Sequence, residues 1–382
     1  MRVLYFTRDY TPHDHRFLSA LSEMDFEVFS LRLERRGMQR EDRPLPPAVQ
    51  QVVWKGGTSE VDVRDYPHIL GSLQKVIDEV KPDVIHAGPI QSCAFLTAMS
   101  GYRPLVSMSW GSDLLVDADQ NAWSRRVTRF ALQHTSVLLG DCEAVRRKAQ
   151  QYGFSPDRVV LFPWGVDLEQ FSPGEDGGLR ARLGWEDHFV LLSLRSWEPI
   201  YGIDVLVKAF ALVARELPRL QLMLLGGGSQ AGMIREILMK NGVMDQVHFG
   251  GQVTNEKLAG YYRACDLYLS ASHSDGSSVS LMEALACGKP VLVSDIPGNL
   301  EWVESGKQGW LFKDGDVESL AQGIREAVRQ QESLAEIGKA SRALAEARAD
   351  WRRNQLRLGE AYQMALDLYE KNMERSSGTT RF

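Results

Sequence analysis

Short β-branched runs alternate with stretches in which apolar positions return at helical spacing, almost from one end of the chain to the other. In the first half the strand-like runs are Val3–Phe6, Val28–Leu31, Val52–Trp54, Val84–His86, Leu105–Met108, Val137–Leu139 and Val159–Phe162. Amphipathic segments such as Tyr66–Val80 and Trp123–Gln133 lie between them. Strands alternating with helices predict βαβ units and a mostly parallel, doubly wound α/β sheet.

The alternation pauses at Pro163-Trp164-Gly165-Val166-Asp167 and again over Ser172–Gly178, where proline and glycine cluster as in an interdomain linker. It resumes with Phe189–Leu194, Leu220–Leu225, Val247–Phe249, Leu267–Ser270 and Pro290–Val293, which predicts a second doubly wound unit. The expected domains are 1–165 and 166–351. After Phe312 the pattern is helical only, before a polar tail from Glu374. The last helix, 352–373, with Leu356, Leu358, Tyr362, Leu366 and Tyr369, is long enough to cross back onto the first domain; the alternative is packing on its own. Two such domains create a cleft between the carboxyl ends of two sheets, the edge at which open α/β sheets bind ligands.

Composition narrows the field. A chain of 382 residues outgrows one hydrophobic core. Net charge is −6, and residues 1–165 carry 20 basic and 20 acidic side chains, so the deficit lies in the second half. No basic domain argues for nucleic acid. Cys93, Cys142, Cys265 and Cys287 lack metal-ligand or CxxC spacing and read as reduced core residues. The chain enters a strand at once, without a signal-peptide run, and no apolar stretch spans a bilayer. A cytoplasmic protein follows, with any membrane contact peripheral, at the inner face.

The segment from Ser272 to Pro290 carries the functional argument. A strand ends, a small polar loop follows, and a helix begins near Ser277 and stops at Gly288. Its N-terminal amides and dipole, at the ligand edge of a sheet, suit a diphosphate. Asp275 stands before the first turn, and Glu283 lies far enough along to reach a ribose. For the bare pair, a helix-start carboxylate and a core-edge charge are the alternatives.

Asp275-x7-Glu283, followed by Ala284-Leu285-Ala286-Cys287-Gly288-Lys289-Pro290-Val291, resembles the E-x7-E signature of retaining GT-B glycosyltransferases of family 4, the glycosyl transferases group 1. The likeness extends through Asp295–Asn299, through Gly306–Phe312, and back to Val166-Asp167-x3-Phe171-x-Pro173. The first half matches more loosely. The resemblance implies two Rossmann-like domains facing across a cleft, acceptor on the first and nucleotide sugar on the second. It implies that Asp275 contacts the donor sugar, Glu283 the ribose, and the amides of Ser277, Ser278 and Val279 the diphosphate. Asp275 departs from the usual glutamate and reaches less far.

Arg195, after the strand at 189–194, can fork onto phosphate oxygens. The family places a lysine where this chain has Tyr201, so Tyr201 bonds a phosphate, another base compensates, or the donor is held more weakly. Gly226-Gly227-Gly228 resembles the family's turn under the nucleotide, and Gln252 and Val253 fall in its base-contacting loop. On the acceptor side, Trp110 replaces the family's histidine, and Asp113 is either a polar group near the reacting centre or a helix cap. His13, His15 and Arg16, after the first strand, suit a charged or hydroxylated acceptor. Asp117-Ala118-Asp119 mimics a metal-binding D-x-D, but GT-B enzymes generally need no divalent ion. The stripe Arg125, Arg126, Arg129 is a solvated helix face or a contact for anionic lipid.

The expected activity is metal-independent, cofactor-free transfer of a hexosyl group, with retention, from a nucleoside diphosphate sugar to an acceptor hydroxyl. A UDP-sugar is favoured over a GDP-sugar, and the acceptor is a sugar, a lipid-linked molecule or a small molecule. Asp113, Asp275 and Arg195 are the catalytic candidates. The alternatives are a GT-B nucleotide-sugar epimerase and a non-catalytic sugar-nucleotide-binding module.

Overall fold

The computed structural model describes residues 1–34, 41, 43–57 and 61–378. Two compact units emerge: residues 1–162 with the segment from Gln355 onward, and residues 163–354.

The first unit is built on β1 (Arg2–Thr7), β2 (Glu27–Arg32), β3 (Val49–Gln51), β4 (Val84–Gly88), β5 (Leu105–Met108), β6 (Val137–Gly140) and β7 (Val159–Leu161). Every pairing is parallel, in the order β3-β2-β1-β4-β5-β6-β7. Val3, Leu4, Tyr5 and Phe6 are all wholly buried, as a parallel sheet covered on both faces requires. Strand order reverses between β1 and β4, so the loops that leave their carboxyl ends diverge there.

The third strand lies earlier than the apolar run suggests. Val49–Gln51 pairs with β2, whereas Val53 is 84% exposed. Trp54 packs edge-on against Phe6 at 5.8 Å and donates its indole N–H to the Arg32 carbonyl at 2.9 Å. The run Val52–Trp54 thus marks a packed anchor after the strand.

The helix Arg357–Gly378 lies against β4 to β7. Leu358, Ala361, Tyr362 and Ala365 form its fully buried stripe, and the two alanines allow a close approach. Leu356, expected in that stripe, is 59% exposed, and Tyr369 is also exposed. Residues 379–382 of the polar tail lie outside the described residues.

The second unit is built on β8 (Phe189–Ser193), β9 (Leu220–Leu225), β10 (Val247–Gly251), β11 (Leu267–Ser270), β12 (Val291–Ser294) and β13 (Gly309–Phe312). These are parallel throughout, in the order β10-β9-β8-β11-β12-β13. β13 is an edge strand whose Trp310 and Leu311 are only half-buried, so it lacks the continuous buried run that reveals the others. The helices Ile203–Ala214 and Val317–Arg329 pack on one face, and Asn255–Ala264, Val279–Ala286 and Leu334–Arg348 on the other. Here the order reverses between β8 and β11, so the loops leaving those two strands flank the switch point.

All four cysteines are buried and free of disulfides. Among the described residues, no helix is long and apolar enough to cross a membrane.

Candidate functional site

At the switch point of the second sheet, Arg195 leaves β8 and the loop Ala271–Ser278 leaves β11, and the two meet. Arg195 Nη1 donates to Ser278 Oγ at 3.1 Å and to Ser280 Oγ at 3.2 Å. Its Nη2 lies 2.7 Å from Asp275 Oδ2, and the guanidinium carbon sits 4.2 Å from the centre of the Tyr201 ring. Burial works against the charge on Arg195, but Asp275, with Tyr201 beyond it, outweighs that cost and holds the guanidinium above its usual value.

Glycine makes the close approach feasible. Gly202, directly after Tyr201, has φ +57°, and a Cβ there would lie 2.0 Å from the Ala271 carbonyl oxygen. The loops after β8 and β11 can therefore touch only without a side chain at 202. Gly228 plays a similar part between the loops after β8 and β9. A Cβ there would meet Trp197 O at 2.6 Å, where Trp197 N already bonds Gly227 O at 3.0 Å.

The helix Val279–Ala286 starts two residues later than expected, with Ser278 at its N-cap and no side-chain cap. Met282 N is the first amide to bond back, to Ser278 O at 3.0 Å, and a helix leaves its earlier amides without intrahelical acceptors. Those amides and the guanidinium share one end of the helix. Ser277 accepts from Trp302 Nε1 at 3.1 Å, and Ser280 Oγ also meets the Tyr268 hydroxyl at 2.8 Å. On the next turn, Glu283 is 8% exposed and takes the Tyr262 hydroxyl at 2.7 Å on Oε2. Burial first, and then Glu283, push the Tyr262 phenol well above its usual range, so it stays a donor.

This arrangement brings together Arg195, Tyr201, Asp275, Ser277, Ser278, Val279 and Glu283. Tyr262, Tyr268, Ser280 and Trp302 complete it and were not singled out by sequence. Their spacing from Arg195 along the chain carries no signal, and the aromatic residues read simply as core. Gln252 and Val253 stand beyond β10, two strands from β8. Val253 packs against the apolar cluster beneath and Gln252 is exposed.

In the first unit the loop after β1 and the loop after β5 bring His13 and Trp110 together, with ring centres 5.5 Å apart and Phe17 edge-on to Trp110 at 5.8 Å. Arg16 is half-buried in the first turns of the same helix, Pro12–Glu23. His15 turns elsewhere: its Nδ1 lies 2.8 Å from the Tyr10 hydroxyl, and burial lowers its pKa.

Asp113 is held by a dense local set of bonds. It is 4% exposed, and its carboxylate accepts from Ile90 N at 3.0 Å, Ser109 Oγ at 2.7 Å and Leu114 N at 2.9 Å. The bond from Ile90 N ties the loop after β5 to the segment after β4, the other two hold the loop after β5 itself, and Asp113 thereby shapes this edge. Asp14 was missed, although Thr11-x-x-Asp14 spells a capping box. It is 2% exposed and accepts from Thr11 N at 2.8 Å, Thr11 Oγ at 2.6 Å and Tyr5 OH at 3.1 Å. Burial carries its pKa up to about 6 against the pull of those bonds.

The D-x-D mimic splits apart. Asp119 pairs with Lys148 and accepts from the Tyr152 hydroxyl at 2.6 Å, while Asp117 accepts from Gln120 at 2.6 Å.

Comparison with known proteins identifies relatives by family and by fold. The family model described as glycosyl transferases group 1 matches residues 178–344, and the one described as glycosyltransferase family 4 matches residues 13–170. The D-inositol 3-phosphate glycosyltransferase of Thermobispora bispora is 27% identical over 370 residues, covering 86% of this chain and 85% of that protein. Its namesake from Geodermatophilus obscurus is 32% identical over 208 residues, which span 52% of this chain but only 46% of the relative. Among solved structures, Anabaena HepE in complex with UDP and glucose superposes with a TM-score of 0.80 at 20% identity, covering 95% of this chain and 99% of that one. Sucrose-phosphate synthase from Thermosynechococcus elongatus gives 0.76 at 20% identity, over 95% and 98% of the two chains. At such identities the likeness establishes the fold, GT-B with two Rossmann-like domains.

Proposed function

The chain belongs to the GT-B glycosyltransferases of group 1 and family 4, and from that premise we propose that it moves a hexosyl group, with retention, from a nucleoside diphosphate sugar to an acceptor hydroxyl. The observation that carries this reading is the convergence of Arg195, Asp275 and the open start of the helix Val279–Ala286 at the switch point of the second sheet. A cation and the amides of a helix start, aimed at one place beforehand, stabilise the charge that grows on a departing diphosphate. Glu283, oriented by Tyr262, is the ribose holder, and Asp275 the sugar contact.

In this reaction the bond between the anomeric carbon and the phosphate oxygen breaks. The leaving phosphate oxygen takes the acceptor hydroxyl proton, and the new bond forms on the same face of the sugar. Arg195 and the amides supply the compensation that a divalent ion gives other transferases, so the reaction needs neither metal nor cofactor. The solved HepE complexes hold UDP, UDP-glucose and glucose, which supports a UDP-sugar ahead of a GDP-sugar. His13, Trp110 and Arg16 are the acceptor candidates. A ring face and a cation suit a sugar, a lipid-linked molecule or a phosphorylated polyol such as the one for which the bacterial relatives are named. The exposed Arg125, Arg126 and Arg129, with Trp123 exposed on the same helix, support a cytoplasmic protein that touches an anionic inner membrane face.

Thermal-shift measurement against a panel of nucleotide sugars tests the donor, and product NMR tests the anomeric outcome. Arg195→Ala and Glu283→Ala are expected to lower transfer by about a hundredfold or more with unchanged far-UV CD. Near-normal turnover in both variants would refute the assignment.

A further inference from the structure

Asp275 does more to Arg195 than stand near it. Oδ2 and Nη2 are 2.7 Å apart, and the side chains are only 20% and 15% exposed. Yet among the described residues neither Asp275 Oδ2 nor Arg195 Nε has a hydrogen-bond partner. The pair is held by charge in a poorly aligned contact, while two serine hydroxyls and the Tyr201 ring fix the guanidinium from the other sides. Where the family offers a second cation, this chain offers Tyr201, so the positive charge of Arg195 is cancelled by its carboxylate neighbour until a ligand arrives.

We propose that Asp275 is a specificity-determining competitor for Arg195, which makes the site hold a sugar-bearing nucleotide in preference to the bare nucleoside diphosphate. The inference rests on the donor reading above and adds a role to it. A diphosphate that engages Arg195 must displace Asp275, and the freed carboxylate is left largely buried beside phosphate oxygens. A nucleotide sugar repays that cost, because its sugar hydroxyls donate to the carboxylate and its terminal phosphate is esterified, with one ionisable oxygen fewer. The bare diphosphate brings more charge and no sugar hydroxyl beyond its terminal phosphate. After transfer, Asp275 recaptures Arg195 and expels the product. Displacing a partly buried carboxylate costs the ligand affinity that removing the carboxylate should restore.

Isothermal titration with UDP and UDP-glucose, and with GDP and GDP-mannose, tests this on the full chain. Asp275→Asn, with Asp275→Ser as a second variant in case the first folds poorly, is expected to tighten the bare diphosphate by roughly tenfold. The same change should leave the nucleotide sugar unimproved, so the preference narrows or inverts. In an Arg195→Gln background the gain from Asp275→Asn should vanish. An equal gain in both backgrounds, or no gain for the bare diphosphate, overturns the competitor role while donor binding stands. Failure of every nucleotide to bind the unmodified chain overturns both readings together.

Discussion

His86 shows how far a single buried side chain can shape behaviour in solution. It sits on β4, wholly buried, with Tyr5 edge-on at 4.9 Å and the Tyr362 hydroxyl 2.6 Å from Nδ1, while Nε2 has no partner. Burial lowers its pKa to about 3, so the ring stays neutral in the folded state. The unfolded chain protonates the same ring near 6.5. Between those values the unfolded state binds more protons, so stability falls as pH drops from about 6.5 toward 3. Asp14 has the opposite sign. Its folded pKa of about 6 exceeds the unfolded value, so its ionisation costs stability as pH rises from about 4 to 6. Each group shifts the balance by one proton, so the two cancel between about pH 4 and 6, and only below about 4 does the histidine act alone. On these two groups, melting temperature should change little between about pH 6 and 4 and fall on acidification from about 4 toward 3. The double variant His86→Leu/Tyr362→Phe, which removes the titrating ring and the hydroxyl it would orphan, should flatten that fall. An unchanged acid slope would show that other groups set it.

At the scale of elements, the site depends on a backbone fit as much as on side chains. The turn Pro199–Tyr201 ends in Gly202, whose left-handed φ of +57° lets it lie against the Ala271 carbonyl where β11 ends. Gly202→Ala adds a Cβ 2.0 Å from that oxygen, a contact that only backbone movement relieves. The expected cost is on the order of 2–3 kcal/mol. Because Tyr201 and Asp275 ride on the two displaced loops, diphosphate affinity should fall with stability, as thermal shift with and without UDP would report. A variant as stable as the original would mean the contact relaxes without strain. This explains which parts of the site were legible from sequence. Arg195, Asp275 and the helix after it could be read because strand, loop and helix signals are local. Tyr262 and Tyr268 could not, since they become site residues only when β8 and β11 lie side by side and the helix 279–286, which carries Ser280, packs against them. The different neighbours of His13 and His15 could not be read either, although residues two apart in a helix point in different directions; His13 faces Trp110 while His15 faces Tyr10. Nor were the neighbours of Asp113 legible, because a carboxylate at a loop bonds nearby amides that only the fold brings to it.

For the whole molecule, the two units differ in how they are assembled from the chain. The second is continuous, from Pro163 to Asn354, and contains both faces of its own core as well as Arg195, Asp275 and Glu283. Its ends are fastened to each other: Val166 N bonds Ala349 O at 2.7 Å, Trp351 N bonds Val166 O at 3.1 Å, and Arg352 holds Glu169 through two nitrogens. The first unit is interrupted. Residues 1–162 lack the helix Arg357–Gly378, whose Leu358, Ala361, Tyr362 and Ala365 cover β4 to β7 and whose Tyr362 bonds His86. Residues 163–354 expressed alone should therefore unfold in one cooperative transition and bind UDP within about fivefold of the full chain, with no transfer activity. Residues 1–162 alone should expose the apolar floor of that helix and aggregate, and co-expression with residues 355–382 should restore solubility. A well-behaved 1–162 fragment with native near-UV CD would show that the returning helix is an ornament on a complete core. A 163–354 fragment that folds but binds no diphosphate would place part of the donor site on the other unit.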